Sequence, residues 1–134
     1  FNTIVLDAGN LFFKQDNIDP GISLDIAKEN ALIILESFNH ITCDGFSPGQ
    51  KDFSAGLQFL EDISSKANFD FLSCNIRDKK NNLLFKDYKI INNNNFNIGI
   101  IGASSFFESK EVIITDPFES INNITGSIKK VRLL

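Results

Sequence analysis

Residues 3–10 read Thr3-Ile4-Val5-Leu6-Asp7-Ala8-Gly9-Asn10. Thr3–Ala8 is a short apolar run that closes on Asp-Ala-Gly. A run of this length ended by a turn signal predicts a buried strand, with Gly9 and Asn10 opening a loop. Asn17–Gly21 (NIDPG) is punctuation. Beyond it, Leu24, Ala27, Ala31, Ile34, Leu35 and Phe38 fall on one helical face, so Leu24–His40 is predicted as a helix. Ser23 suits its N-cap, Asp25 its first turn, and His40 its last, where a cation favours the dipole.

Outward from that strand and helix, the alternation continues. Thr42–Ser47 (TCDGFS) predicts a second strand, broken by Pro48-Gly49. A second helix runs from about Ser54 to Lys66, with Leu57, Leu60 and Ile63 on one side. Phe69–Cys74 (FDFLSC) predicts a third strand. Leu83–Ile91 and Phe96–Ile101 flank the Asn92–Asn95 run and read as a hairpin, since Asn tolerates turn conformations. Val112–Thr115 is a short strand, and Pro117 opens a last helix from its first position, weakened at Gly126. Val131–Leu134 reads as the start of another strand. This order predicts an α/β domain: a mostly parallel sheet covered by helices, with an antiparallel hairpin added. Thr3–Ala8, Cys43–Ser47, Phe69–Cys74 and Phe96–Ile101 are expected in one sheet, and residues 1–134 as a single domain.

Composition narrows the function classes. The chain has 134 residues, 43% apolar and 22% charged, enough for one core. A net charge of −4 argues against nucleic acid, whose binding needs a basic stripe. Lys79-Lys80 and Lys129-Lys130 read as solvated surface. No apolar run approaches the ~20 residues of a membrane span, and no leader pattern is evident, so a soluble domain without membrane insertion is expected. Cys43 and Cys74 lack zinc or CxxC spacing and are expected as free, buried thiols. The 14 Phe read as a coding bias before a functional signal. Ile98–Gly102 (IGIIG) lacks the third Gly and following helix of a dinucleotide fingerprint, so Gly99 and Gly102 read as sites of close strand packing. Asn123-Ile124-Thr125 has the glycosylation pattern but falls inside a predicted helix. No Ser-His-Asp or Cys-His set is present.

Five pieces in one order carry a family resemblance. Leu6-Asp7-Ala8-Gly9-Asn10 resembles the "LDAGD" loop of calcineurin-like metallophosphoesterases, in particular the 5′-nucleotidase type. Ala31 to Phe53, ending Gly49-Gln50-Lys51-Asp52-Phe53, resembles that family's helix and "YDAVTLGNHEFD" strand and loop. Gly56-Leu57-Gln58-Phe59-Leu60 through Phe71-Leu72-Ser73-Cys74-Asn75-Ile76 is similar to "GLEFL…FPFLSANI". Leu84-Phe85-Lys86-Asp87-Tyr88 and Ile98-Gly99-Ile100-Ile101-Gly102 resemble "LFKPY…VGVIGL". Ile114-Thr115-Asp116-Pro117 resembles the family's "DP" helix start. The resemblance implies part of a metallophosphoesterase α/β/β/α sandwich. It also implies two metal ions at the carboxyl ends of the strands and a periplasmic or extracellular setting, which the sequence itself does not specify.

At the metal positions the sequence departs from the family. The bridging Asp of "DAGD" is Asn10. The metal-binding Asn and assisting His of "GNHE" are Gln50 and Lys51. The family's Asp-x-His motif would precede Phe1, and its later His motifs would follow Leu134. Carboxylate and imidazole hold such ions; a neutral amide holds them far less well. A lysine about 4 Å from a cation adds a repulsion of roughly 4 kcal/mol at an effective dielectric of 20.

The expectation is therefore a degenerate, non-catalytic binding or structural module without cofactor. Asp7, Asn10, Gln50, Lys51 and Asp52 are its ligand-crevice candidates, with no catalytic or metal residue assigned. The partner is expected to be an unknown small anionic ligand or a protein. Asp7 also has a plainer reading, hydrogen bonding to loop N–H groups, and Lys51 that of an exposed loop lysine. The alternative is a metal-dependent phosphomonoester (nucleotide) hydrolase whose other ligands, and metal pair, depend on flanking sequence. An unrelated α/β binding domain is the third reading.

Overall fold

The computed structural model describes residues 3–93 and 96–131, which form two compact units meeting in sequence at Phe71 and Leu72. In the first unit, β1 (Leu6–Asp7), β2 (Gly45–Phe46) and β3 (Asp70–Phe71) form a parallel sheet in the order β1-β2-β3. Leu6 is opposite Gly45, and Phe46 opposite Phe71. The regular strands are shorter than the apolar runs that encode them. Backbone bonds from Asp44 N–H to Val5 O (2.8 Å) and from Ser47 N–H to Asp7 O (3.0 Å) extend the β1–β2 ladder at both ends.

The connections are helical, as parallel neighbours require. Helix α1 (Leu24–His40) starts where its cap predicts: the Ser23 hydroxyl oxygen accepts from Ile26 N–H at 3.2 Å. It buries Ala31 and Leu35. Helix α2 (Leu57–Lys66) buries Leu60 and Ile63. It starts later than the predicted Ser54 because Gln50–Phe53 forms a separate 3₁₀ turn, with Ser54 N–H closing on Lys51 O.

Phenylalanine supplies this unit's core. The Phe46 and Phe71 rings, cross-strand partners, meet edge-on at 4.7 Å; Phe12 lies 5.4 Å from Phe46, and Phe69 lies 5.7 Å from Phe71. From α1, Phe38 approaches Phe69 at 6.3 Å. Burial of each such ring stabilises by about 1.5–3 kcal/mol, with ~0.5–1.5 kcal/mol more for a well-oriented aromatic pair. Phenylalanine usage here is therefore structural.

The second unit departs from the predicted sheet. Strand β6 (Phe96–Ile101) pairs antiparallel with β5 (Tyr88–Asn93), as the hairpin reading expects, but in a two-stranded sheet of its own and not in the sheet of β1, β2 and β3. The shortness of the chain between β5 and β6 makes each the other's nearest partner and fixes that pairing as antiparallel. Asn92 and Asn93 continue β5, and Asn94 and Asn95, where the turn was expected, lie outside the described residues. Residues 83–87 are not regular strand: Leu83 and Lys86 form only single bridges, to Arg77 and Leu72. Strand β4 (Ile76–Arg77), which the sequence reading lacked, pairs antiparallel with β7 (Ile113–Ile114).

Helix α3 (Pro117–Val131) opens under an Asp116 cap, whose carboxylate accepts from Glu119 N–H at 2.9 Å, and it runs through Gly126. Val131 ends this helix instead of starting a strand; residues 132–134 lie outside the described residues. Gly102 is required by close approach, since a Cβ there would lie 2.0 Å from Leu72 O, whereas Gly99 faces open space and has no packing role. Cys43 and Cys74 are both free and buried. Among the described residues, no helix is long and apolar enough to cross a membrane.

Candidate functional site

Parallel strands end at the same edge of their sheet, and the loops that leave β1 and β2 meet there. Their meeting depends on one carboxylate. Asp52, in the 3₁₀ turn, is completely buried. Its Oδ2 accepts from Asn10 N–H at 2.7 Å and from Gly49 N–H at 2.8 Å; its Oδ1 accepts from Phe12 N–H at 3.0 Å. Burial pushes the Asp52 carboxyl above the ordinary carboxylate range, and the backbone N–H groups of Phe12, Gly49, Asn10 and Leu11 pull in the opposite direction.

The other candidates are placed around this carboxylate. Asp7 is half-buried at the end of β1, and its Oδ1 accepts from Gly9 N–H at 2.9 Å, a local turn of the kind its plainer reading anticipates. Gly9 takes φ +103°, and a Cβ there would lie 2.6 Å from Ser47 O, so only glycine lets the two loops approach this closely. Asn10 follows in the left-handed region at φ +58°, which asparagine tolerates. Its side-chain Oδ1 accepts from Lys51 N–H at 3.0 Å, so Asn10 ties one loop to the other. Gln50 is exposed, and Lys51 is half-buried instead of the exposed lysine of its plainer reading.

Beside the junction lies a cavity of about 490 Å³. Asn10 and Lys51 line it; Asp7, Gln50 and Asp52 do not. Its other walls come from the segment 11–22, apart from Asp16, Pro20 and Gly21, and from Ala27, Asn30 and Ile34 of α1. Among the described residues, no group of three or more His, Cys, Asp or Glu side chains could hold a metal ion.

The chain superposes on solved structures over nearly its whole length. The calcineurin-like phosphoesterase YfkN from Bacillus subtilis matches 98% of it with a TM-score of 0.78 at 19% identity. A putative 5′-nucleotidase from Staphylococcus aureus, solved with alpha-ketoglutarate, matches 95% with a TM-score of 0.75 at 18% identity. The sulfate thiohydrolase SoxB from Thermus thermophilus matches 95% with a TM-score of 0.74 at 18% identity. The chain has the calcineurin-like phosphoesterase fold. It spans 46%, 26% and 23% of those three proteins respectively. No protein-family model and no curated protein matches the sequence.

Within this phosphoesterase fold, sequence reasoning missed two features. One is the organising role of Asp52, which the spacing Gly49-x-x-Asp52 could have signalled as a carboxylate reaching back to the start of its own turn. The other is the cavity. Its signal was the apolar content of residues 11–22, where Leu11, Phe12, Phe13, Ile18 and Ile22 exceed what a solvated loop needs.

Proposed function

We propose that this chain is a degenerate 5′-nucleotidase-like module that binds or supports and does no metal chemistry of its own. The observation that carries the reading is the hydrogen bond from Lys51 N–H to Asn10 Oδ1. It commits the oxygen at the position of the family's bridging carboxylate to the protein's own backbone. The rest of the donor set fits a metal pair no better. Both Asp52 oxygens are turned inward onto N–H groups, one Asp7 oxygen is held by Gly9, and Lys51 brings a cation. An ion would have to break these bonds and lie beside an ammonium group, and both effects oppose it.

The test is to load the protein with manganese or zinc, measure bound metal, and assay phosphate release from a nucleoside monophosphate. No stoichiometric metal and no turnover are expected. Tight metal together with turnover lost in Asn10→Ala would overturn the reading. The double variant Asn10→Asp with Lys51→His is also expected to stay metal-free, because two restored groups leave each ion short of its usual coordination number.

A further inference from the structure

The cavity beside the loop junction has the volume of a small-molecule site, ordinarily ~300–1,000 Å³. Its walls are mainly apolar: Leu11, Phe13, Ile18, Ile22, Ala27 and Ile34. Two cations also line it, Lys14 and Lys51, against one carboxylate, Asp19. That carboxylate is already engaged, since its Oδ1 accepts from Gly21 N–H at 2.9 Å. Neither ammonium forms an ion pair with a described residue. Lys28, also on α1, is directed elsewhere, over the Phe59 ring at 5.2 Å.

Apolar walls with an excess of unpaired cations fit one class of ligand. A bare inorganic anion would leave the walls wet, and a neutral hydrocarbon would leave the lysines without a partner. We propose that this cavity binds a small amphipathic anion, with its single oxyanion head at Lys14 and Lys51 and its apolar body between residues 11–22 and α1. A body on the order of eight carbons is well within this volume. The inference deepens the reading above by naming the anion, and rests on it in one point: Lys51 serves a ligand and not a metal-bound phosphate.

Octanoate is the probe, titrated into the intact chain by calorimetry and by amide NMR. The expected result is saturable binding with shifts at residues 11–22 and at Ala27, Asn30 and Ile34. Lys51→Ala should weaken it about tenfold, the loss of one charge-assisted hydrogen bond. Lys51→Arg should restore it, and Ala27→Trp, which fills the cavity, should abolish it. Octylammonium, acetate and inorganic phosphate should not bind. Absence of octanoate binding at millimolar concentration overturns the inference. Equal binding of octanol or octylammonium overturns it too, as does tighter binding of a nucleoside monophosphate. The titration is repeated after manganese loading. Metal uptake would count against the non-catalytic reading, and lack of octanoate binding against this inference, so the two failures are separable.

Discussion

Each unit is organised by one buried polar side chain, and the two side chains differ in kind. In the first unit Asp52 faces only donors: the N–H groups of Asn10, Gly49 and Phe12. In the second, Asn75, also completely buried, faces both kinds of group. Its Nδ2 donates to Ser104 O at 2.8 Å and to Thr115 O at 3.0 Å, while its Oδ1 accepts from Ser104 N–H at 2.9 Å. A carboxylate accepts only, and suits loops that turn their N–H groups inward; an amide does both, and suits a strand-like segment presenting C=O and N–H together. The difference teaches that the backbone's need sets the residue, and that Asp52 answers a structural need before any functional one.

The largest expected effect comes from reversing the second choice. Asn75→Asp would set a carboxylate against two carbonyl oxygens, an uncompensated buried charge costing about 4 kcal/mol at neutral pH. Urea denaturation followed by circular dichroism measures it. Tolerance of Asp at this position would break the comparison.

The reciprocal change, Asp52→Asn, keeps the shape but turns an amide N–H toward backbone donors. A loss of about 2 kcal/mol is expected, with faster hydrogen exchange at Asn10, Phe12 and Gly49. Unchanged exchange at those three amides would mean that the loops hold together without the carboxylate.

A pH titration sharpens the same point. The Asp52 carboxyl is raised in the folded state, so just above the unfolded value of 3.8 the native protein holds the extra proton. Its contribution therefore makes stability rise as pH falls through that window, opposite to the usual carboxylate. Asp78 is the contrast, because hydrogen bonds from the Asn82 side chain and backbone lower it. Its contribution is present above its unfolded value and fades as pH falls through the folded one. Carbon-13 titration of the two carboxyls should find Asp52 protonating first; the reverse order would contradict the assigned causes.

The smallest effect is expected at Asn10→Asp. Either side chain offers Lys51 N–H an oxygen at an exposed position, so stability should change by no more than about 0.5 kcal/mol. A larger loss by thermal denaturation would show that the amide group itself is required in the loop.

Much of this could be read in advance. Period, with the Ser23 cap and Pro117, placed the starts of α1 and α3, because a helix start is a local object whose signals lie next to the groups they satisfy. Asp7 was legible for the same reason, since its partner is Gly9. The parallel order of the first three strands followed from their helical connections. Phe96–Ile101 was read correctly as a hairpin strand but placed in the wrong sheet, because an apolar run does not state which sheet it will join, and β4 escaped because two residues carry no period.

By itself, then, the sequence determined the α/β class, the limits of α1, and the free state of both cysteines. Tertiary structure alone decided that Asp52 is an inward-facing clamp, that Asn10 spends its oxygen on Lys51 N–H, and that residues 11–22 meet Ala27, Asn30 and Ile34 around a cavity. Those partners lie as many as 42 positions apart. Hydrogen-bond satisfaction and enclosure depend on where distant backbone groups come to rest, and local residue chemistry does not encode that.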